Sequence, residues 1–368
     1  MAIYKIFPTQ DTTLYSIYPE MNTGLDEILE ASLEVGNLGT PAPQASRFLI
    51  QFDSNEITDI ISNKISGSQW QSNLKCLVAN VTALNSTTTI ETYAVSQSWN
   101  MGTGRFEYVP QVQNGASWFW KDYQGGNTWT DGTFNIDTTG SYSSSVDIGG
   151  GTWYTTYSGS QTFNYYTDKD INIDTTNIVS EWYSSSIDNN GFIVKQKDEF
   201  IDNENLQPKM KYFSIDTHTI YPPCLEFKWV DATFNTGSST LPTISAQPFV
   251  VTLGDNSGYF YPESINKFRV YSRPEYPSRV FATASYFTQN SYLPTESYYA
   301  IKDLDTDEYV IDFDTTYTQL SMDATSSNFT LYMNGLQPER YYKVLIQTTV
   351  NGSIVVLDND YYFKIIKG

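Results

Sequence analysis

The feature that most constrains the fold of this chain is a period of two in its apolar residues. In Ser46-Arg47-Phe48-Leu49-Ile50-Gln51-Phe52, residues Phe48, Ile50 and Phe52 fall on one side of an extended chain. Tyr342, Val344 and Ile346 do the same in Tyr342-Lys343-Val344-Leu345-Ile346-Gln347. Successive side chains of a strand point to opposite faces, so both segments read as half-buried β-strands. Further strands are expected at 4–7, 28–33, 74–81, 89–96, 191–197, 211–215, 224–230, 248–253, 267–271 and 328–333. Turn chemistry agrees. Asn351-Gly352 separates two such runs, and a type I′ hairpin turn needs positive φ at both central residues. Asn114-Gly115, Asp131-Gly132, Asn190-Gly191 and Asn334-Gly335 punctuate the chain in a similar way. Asp358-Asn359-Asp360 is expected to turn the chain into a last strand at 361–366. Helix is scarce, with short helices expected only at 57–65 and 174–184. The second has Asp174 as N-cap and Ile178, Val179 and Trp182 on one face.

A chain of 368 residues exceeds the roughly 250–300 at which a single core stops growing, so two domains are expected. The run Asn235-Thr236-Gly237-Ser238-Ser239-Thr240-Leu241-Pro242 is small, polar and broken by proline, as a connector is. The expected organisation is a domain over 1–231, a linker over 232–246 and a domain over 247–368. Aromatic residues make up 15% of the chain, enough to fill two cores. The 41 acidic and 21 basic residues leave a net charge of −20, with no basic cluster to offset it, which excludes nucleic acid as a direct partner. Cys76 and Cys224 are too few for a disulfide framework. They read as two buried thiols, with one disulfide joining the ends of the first domain as the alternative. No apolar run approaches the roughly 18 residues of a membrane helix, and the first residues lack a signal-peptide pattern. The expectation is synthesis in a cytoplasm and no membrane partner.

Chemistry-bearing motifs are sparse. A nucleophilic triad would draw on the single histidine, His218, but no Gly-x-Ser-x-Gly or cysteine-centred signature accompanies it. A zinc site would need more nitrogen or sulfur ligands than His218 and two distant cysteines supply. Asp303-Leu304-Asp305-Thr306-Asp307-Glu308 lacks the glycine and distal glutamate of an EF-hand loop and reads as a hairpin tip. Gly149-Gly150-Gly151 reads as a plain flexible turn. No catalytic residue, metal site or cofactor is therefore expected. The region 101–160 reads as long loops folded onto the first domain, because it is rich in Gly, Ser and Thr yet carries large rings. Trp118, Trp120, Tyr123, Trp129, Trp153 and Tyr154, with Tyr157 beside them, are the candidate ligand or interface residues. Flat rings stack on sugar faces, anchor protein interfaces, or simply close a core, and all three roles stay open.

Several segments, taken in order, carry a resemblance. They are Asp11-Thr12-Thr13-Leu14-Tyr15, Asn22-Thr23-Gly24, Ser46-Arg47-Phe48-Leu49-Ile50-Gln51-Phe52-Asp53, Trp99-x-x-Gly102, Ile178-Val179-x-x-Trp182, Asn190-Gly191-Phe192-Ile193-Val194 and Pro223-Cys224-Leu225-Glu226-Phe227. Together, over about residues 1–231, they resemble the DNRLRE family of carbohydrate-binding-module-like β-sandwiches. Residues 245–368, through 298–314 and Gly335-Leu336-Gln337-Pro338-Glu339-Arg340-Tyr341-Tyr342-Lys343, resemble the Ig/fibronectin-like carboxy-terminal domains of virion proteins of large tailed marine phages. There the Tyr of the Leu-x-Pro corner packs inward.

The fold these resemblances imply is all-β: an amino-terminal antiparallel, jelly-roll-like β-sandwich with long aromatic-rich loops, then an Ig/fibronectin-like β-sandwich. The function they imply is that of a non-enzymatic virion structural protein of a tailed phage, in a decoration, neck, baseplate or fibre-attachment role. It would be located in the virion after assembly in the host cytoplasm, and its partners would be other virion proteins and further copies of itself. The alternative is a glycan-binding module that attaches to a host-surface polysaccharide. A polysaccharide-degrading enzyme fits less well, because stabilising an acidic sugar's developing charge calls for cationic or metal groups.

Overall fold

The computed structural model describes residues 2–34, 44–67, 69–84, 87–129, 139–143, 148–197, 199, 208–234, 241–246, 248–276 and 290–367. The Asp131-Gly132 turn and residues 235–240 of the expected connector lie outside them. The chain is all-β. Strands β1 (Ala2–Ile6), β2 (Gln10–Tyr15), β3 (Ile28–Glu34) and β4 (Gln44–Gln51) lead to helix α1 (Ser54–Asp59). Strands β5 (Trp70–Cys76), β6 (Val78–Thr82) and β7 (Thr88–Val95) follow, then the small hairpin β8 (Trp120–Asp122) and β9 (Asn127–Thr128). Next come β10 (Thr139–Ser143), β11 (Ile148–Phe163), β12 (Ile171–Asp174), α2 (Thr176–Tyr183), β13 (Phe192–Gln196), β14 (Lys209–Phe213) and β15 (Cys224–Trp229). The rest of the chain holds β16 (Phe249–Gly254), β17 (Tyr259–Phe260), β18 (Ile265–Pro274), β19 (Ser297–Asp303) and β20 (Tyr309–Ile311). It ends with β21 (Ser321–Met322), β22 (Ser327–Tyr332), β23 (Tyr341–Val350) and β24 (Ser353–Ile365).

Nine strands form one sheet in the order β10-β11-β7-β13-β4-β3-β14-β6, with β2 added against β4, and a four-stranded sheet runs β1-β15-β5-β12. By contacts the chain divides into two compact units. One comprises Ile6–Lys64 and Gln71–Glu226; the other comprises Phe227–Gly368 together with Met1–Lys5 and Ile65–Trp70. This division falls just before the connector expected at 232–246.

In the first unit, β4 departs from its expected half-burial. Ala45, Ser46, Arg47, Phe48, Leu49 and Ile50 are all at most 3% exposed. Phe48 and Ile50 sit opposite Val194 and Phe192 of β13, whose ring meets Trp182 of α2 at 4.6 Å. The alternate residues are covered as well: Leu49 packs with Leu14, Ile193, Trp118, Trp129 and Trp153. Both sides of the strand are therefore core, and the second side is closed by segments far away in sequence. Burying rings of this size, at roughly 25 cal/mol per Å² of apolar surface, makes that closure a major stabilising term.

The region 101–160 is not loop throughout. It ends in the 16-residue strand β11, which pairs with β7 from Trp153 opposite Val95 to Phe163 opposite Thr88. Gly149-Gly150-Gly151 is no flexible turn but the start of that strand. A Cβ on Gly150 (φ 78°) would lie 2.6 Å from Arg47 Nη1, and one on Gly149 would lie 2.3 Å from the Trp118 carbonyl oxygen. The glycines are there to let Trp118 and Arg47 approach the backbone. Two smaller expectations also shift. The 74–81 segment breaks at Leu77 into β5 and β6, and the N-cap of α2 is Thr175, while Asp174 accepts the Thr176 N–H at 2.9 Å. Cys76 and Cys224 are buried thiols that form no disulfide.

In the second unit, the order β16-β18-β22-β21 faces β17-β24-β23-β19-β20, and β17 runs parallel to β24. With β17 as an extra strand beside G, this is the A-B-E-D and G-F-C-C′ arrangement of Ig-type sandwiches. Both sheets fill one core: Phe268 stacks on Phe329 at 5.2 Å, and Phe329 stacks on Tyr299 at 4.3 Å. The expected corner is present. The Gln337 N–H donates to the Tyr342 hydroxyl at 2.7 Å, and that hydroxyl donates to the Gln337 carbonyl at 3.2 Å. Asn351 and Gly352 have φ of 52° and 76°, as the hairpin turn requires. Asp358-Asn359-Asp360 does not start a new strand. It forms a bulge within the single strand β24, where the register against β23 shifts between Val344 and Ile346. Asp303 to Asp307 form the tip of the β19–β20 hairpin, with Asp303 accepting the N–H groups of Asp305 and Thr306.

Candidate functional site

The six aromatic candidates separate into two groups. Trp118, Trp129 and Trp153 are 2%, 1% and 7% exposed and belong to the core, so their assignment to ligand or interface is corrected. The Trp129 ring N–H is spent on the Ser117 carbonyl at 2.8 Å. Trp118 and Trp153 flank the Arg47 guanidinium, with ring centroids 4.7 and 5.1 Å from its central carbon. Arg47 in turn pairs with Glu199 at 2.7 Å and donates to the Gly150 carbonyl at 2.5 Å. This fully buried cation holds the β11 start and the Trp118 segment against β4. Trp120, Tyr123 and Tyr154 are only half-buried: Trp120 meets Tyr123 edge-on at 5.3 Å, and Tyr154 meets Tyr157 at 6.1 Å. They do not join the buried cluster of the other three. His218 is largely exposed, with Nε2 3.4 Å from Glu27 Oε1.

A latch formed by Asn22 shapes a different site. Its amide donates to the carbonyls of Met101 and Ala116 at 2.7 and 2.8 Å, and its oxygen accepts the N–H groups of Gly24 and Gly104 at 3.2 and 2.8 Å. Side chains at Gly24, Gly102, Gly104 or Gly115 would collide with Asn22 or with the Met101 and Gly102 backbone, which is why this crossing of loops is glycine-rich. The latched loop carries Arg105, Phe106 and Glu107. Asn22→Ala should lower unfolding stability by about 2–4 kcal/mol, because four backbone groups, three of them buried, lose their partner. Urea unfolding measures this, and a loss under about 1 kcal/mol would contradict the latch.

Phe106 closes one wall of a groove of about 480 Å³ on the first unit. Its ring lies 5.1 Å from that of Tyr15 and 5.9 Å from that of Tyr18. Phe106 and Tyr18 are 48% and 37% exposed, while Tyr15 is buried beneath them. Across the floor, the hydroxyls of Ser32 and Ser46 hydrogen-bond at 2.6 Å. Carboxylates from β3 and the turn before it complete the lining. Glu27 pairs with Arg105 at 3.3 Å and Glu30 pairs with Lys211. Burial pushes the Asp26 carboxyl above its usual range, although the N–H groups of Phe106 and Glu27 oppose the shift. Flat apolar rings beside fixed hydrogen-bond acceptors suit a ligand with alternating C–H faces and hydroxyls. None of the groove residues was singled out from sequence. Tyr15 and Tyr18 lie 91 and 88 residues before Phe106, and no spacing rule joins them.

No family model matches the chain, and no curated protein does. Among solved structures, a DUF4785 family protein from Legionella pneumophila subsp. pneumophila str. Philadelphia 1 aligns over 99% of this chain, at 7% identity and a TM-score of 0.19. The beta-glucuronidase of Parabacteroides merdae aligns over 96% of it, at 8% identity and a TM-score of 0.17. The chain spans 64% and 36% of the length of those two chains, and superposition that weak bears on neither fold nor function.

Proposed function

We propose that this chain is a non-enzymatic binding protein of a virus particle, and that its amino-terminal sandwich holds a glycan in the Tyr18–Phe106 groove. The observation that carries the reading is the pairing of two exposed rings with carboxylates and a hydroxyl floor in one concave surface. A binding role is supported by the ion pairs, which commit two of the four lining carboxylates, Glu27 to Arg105 and Glu30 to Lys211. The particle setting rests on the resemblance of the second unit to phage virion domains.

Phe106→Ala should weaken binding on a glycan array, or by calorimetry, at least ~10-fold while the melting temperature stays within a few degrees, because the ring is half in solvent. Unchanged binding by this variant, or no binding of any oligosaccharide by the parent, would refute the reading. A second reading, docking on another virion protein, is favoured by the outer face of β23 and β24. Ile354 and Val356 are exposed there, and Lys343 lies 5.5 Å over Tyr362. Mass spectrometry of purified particles tests the setting common to both readings.

A further inference from the structure

We infer that the groove selects glycans bearing free amines, of the glucosamine type, over N-acetylated and uronic-acid polymers; this inference rests on the glycan reading above. Four carboxylates line the groove (Asp26, Glu27, Glu30 and Glu107) against two cations, Arg105 and Lys211. Arg105 and Lys211 are already paired with Glu27 and Glu30, so among the described residues Asp26 keeps only the longer-range attraction of Arg105 and Glu107 has no ion pair in the lining. Asp26 is the deeper of the two. It takes hydrogen bonds from the Phe106 and Glu27 N–H groups, which hold its carboxyl beside the Phe106 backbone. A ligand ammonium beside Asp26 would supply the missing positive charge while the ring faces stack on Phe106 and Tyr18.

An anionic sugar in the same place would meet this acidic lining within a chain whose net charge is −20. Carboxylate partners also suit an ammonium through charge-assisted hydrogen bonds, roughly twice as strong as neutral ones. A lysine-rich peptide shares the positive charge but not the alternating C–H faces that match two tilted rings. It is therefore the weaker occupant, and it serves as a control.

The test is calorimetry on the full chain at about pH 6, where the amines are protonated, with four probes: hexamers of glucosamine, N-acetylglucosamine and galacturonate, and a lysine hexapeptide. At low ionic strength the glucosamine hexamer should bind at least ~10-fold tighter than its acetylated counterpart, with galacturonate not binding. Raising the salt to about 0.5 M should shrink that ratio, because the charges are partly exposed. The double substitution Asp26→Asn with Glu107→Gln should bring the ratio to within ~2-fold.

Equal or tighter binding of the acetylated hexamer, or a ratio unmoved by the double substitution, overturns the amine selection while leaving the glycan reading intact. Tightest binding of the lysine peptide also overturns it, in favour of a basic protein partner. Failure of all three sugars to bind overturns both.

Discussion

Replacing Arg47 with methionine should lower the unfolding free energy by about 3–5 kcal/mol, because the substitution leaves Glu199 as an uncompensated charge in the core. Both side chains of the pair are fully buried. The guanidinium also lies between Trp118 and Trp153 and holds the Gly150 carbonyl, so its loss frees the segment that covers Leu49. Lys195, 4.0 Å from Glu199, is too far away to replace a bidentate partner. Adding Glu199→Leu to Arg47→Met should recover much of the loss, since an apolar pair of similar volume pays no desolvation cost. Denaturant unfolding of the two variants decides the matter. A single substitution costing less than about 1 kcal/mol would mean that the cation does not clamp the tryptophans.

The second large effect is a dependence on pH that originates at Asp11. This residue is 1% exposed, and among the described residues no cation pairs with it; it accepts only the Ile215 N–H, at 2.7 Å. Burial, against the help of that N–H and with repulsion from Asp216 and Asp26, pushes its carboxyl up to about 8. The folded chain thus keeps a proton that the unfolded chain releases near pH 4. Stability from this group is complete below about pH 4 and declines by about 1.4 kcal/mol per pH unit until the pH passes about 8. Asp11→Asn removes the titration and keeps an acceptor for Ile215. The variant should gain on the parent steadily from pH 5 to pH 8 and be several kcal/mol more stable at the top of that range. Paired carboxylates such as Asp303 act in the opposite direction: burial alone would raise Asp303, but Arg340 and two N–H groups hold it below its usual range, so its contribution is lost in acid. Subtracting the two unfolding curves cancels such groups. A parent-to-variant difference that does not change with pH would show that Asp11 titrates normally.

What could be read from sequence was local. The corner at Tyr342 is legible because the leucine, proline and tyrosine lie within seven residues of one another and their spacing alone sets the turn. The hairpin at Asn351-Gly352 is legible for the same reason. The alternation of β4 located Phe48 and Ile50 but left Arg47 and Leu49 looking like an outer face. That face becomes interior because Leu14, Ile193, Trp118, Trp129 and Trp153, from segments distant in sequence, pack over it. The glycine run at 149–151 has the composition of a linker, and its role emerges only from the ring it must admit. Large rings in loops can stack on a ligand, anchor an interface or close a core, and sequence does not choose among these roles; three of the six lie in the core. The groove depends on Tyr18 meeting Phe106 across a latch, a contact with no periodicity to announce it. Likewise, nothing in a run of threonines marks the neighbouring Asp11 as buried.

The central claim is that Trp118, Trp129 and Trp153 close a core and leave the Tyr18–Phe106 groove as the binding surface. Chemical-shift mapping with the glucosamine and N-acetylglucosamine hexamers tests it most directly. Perturbations centred on Tyr18, Asp26 and Phe106, with the indole signals of Trp118, Trp129 and Trp153 unmoved, are the expected result. Perturbations centred on Trp120, Tyr123 and Tyr154, or on the buried indoles, would contradict it.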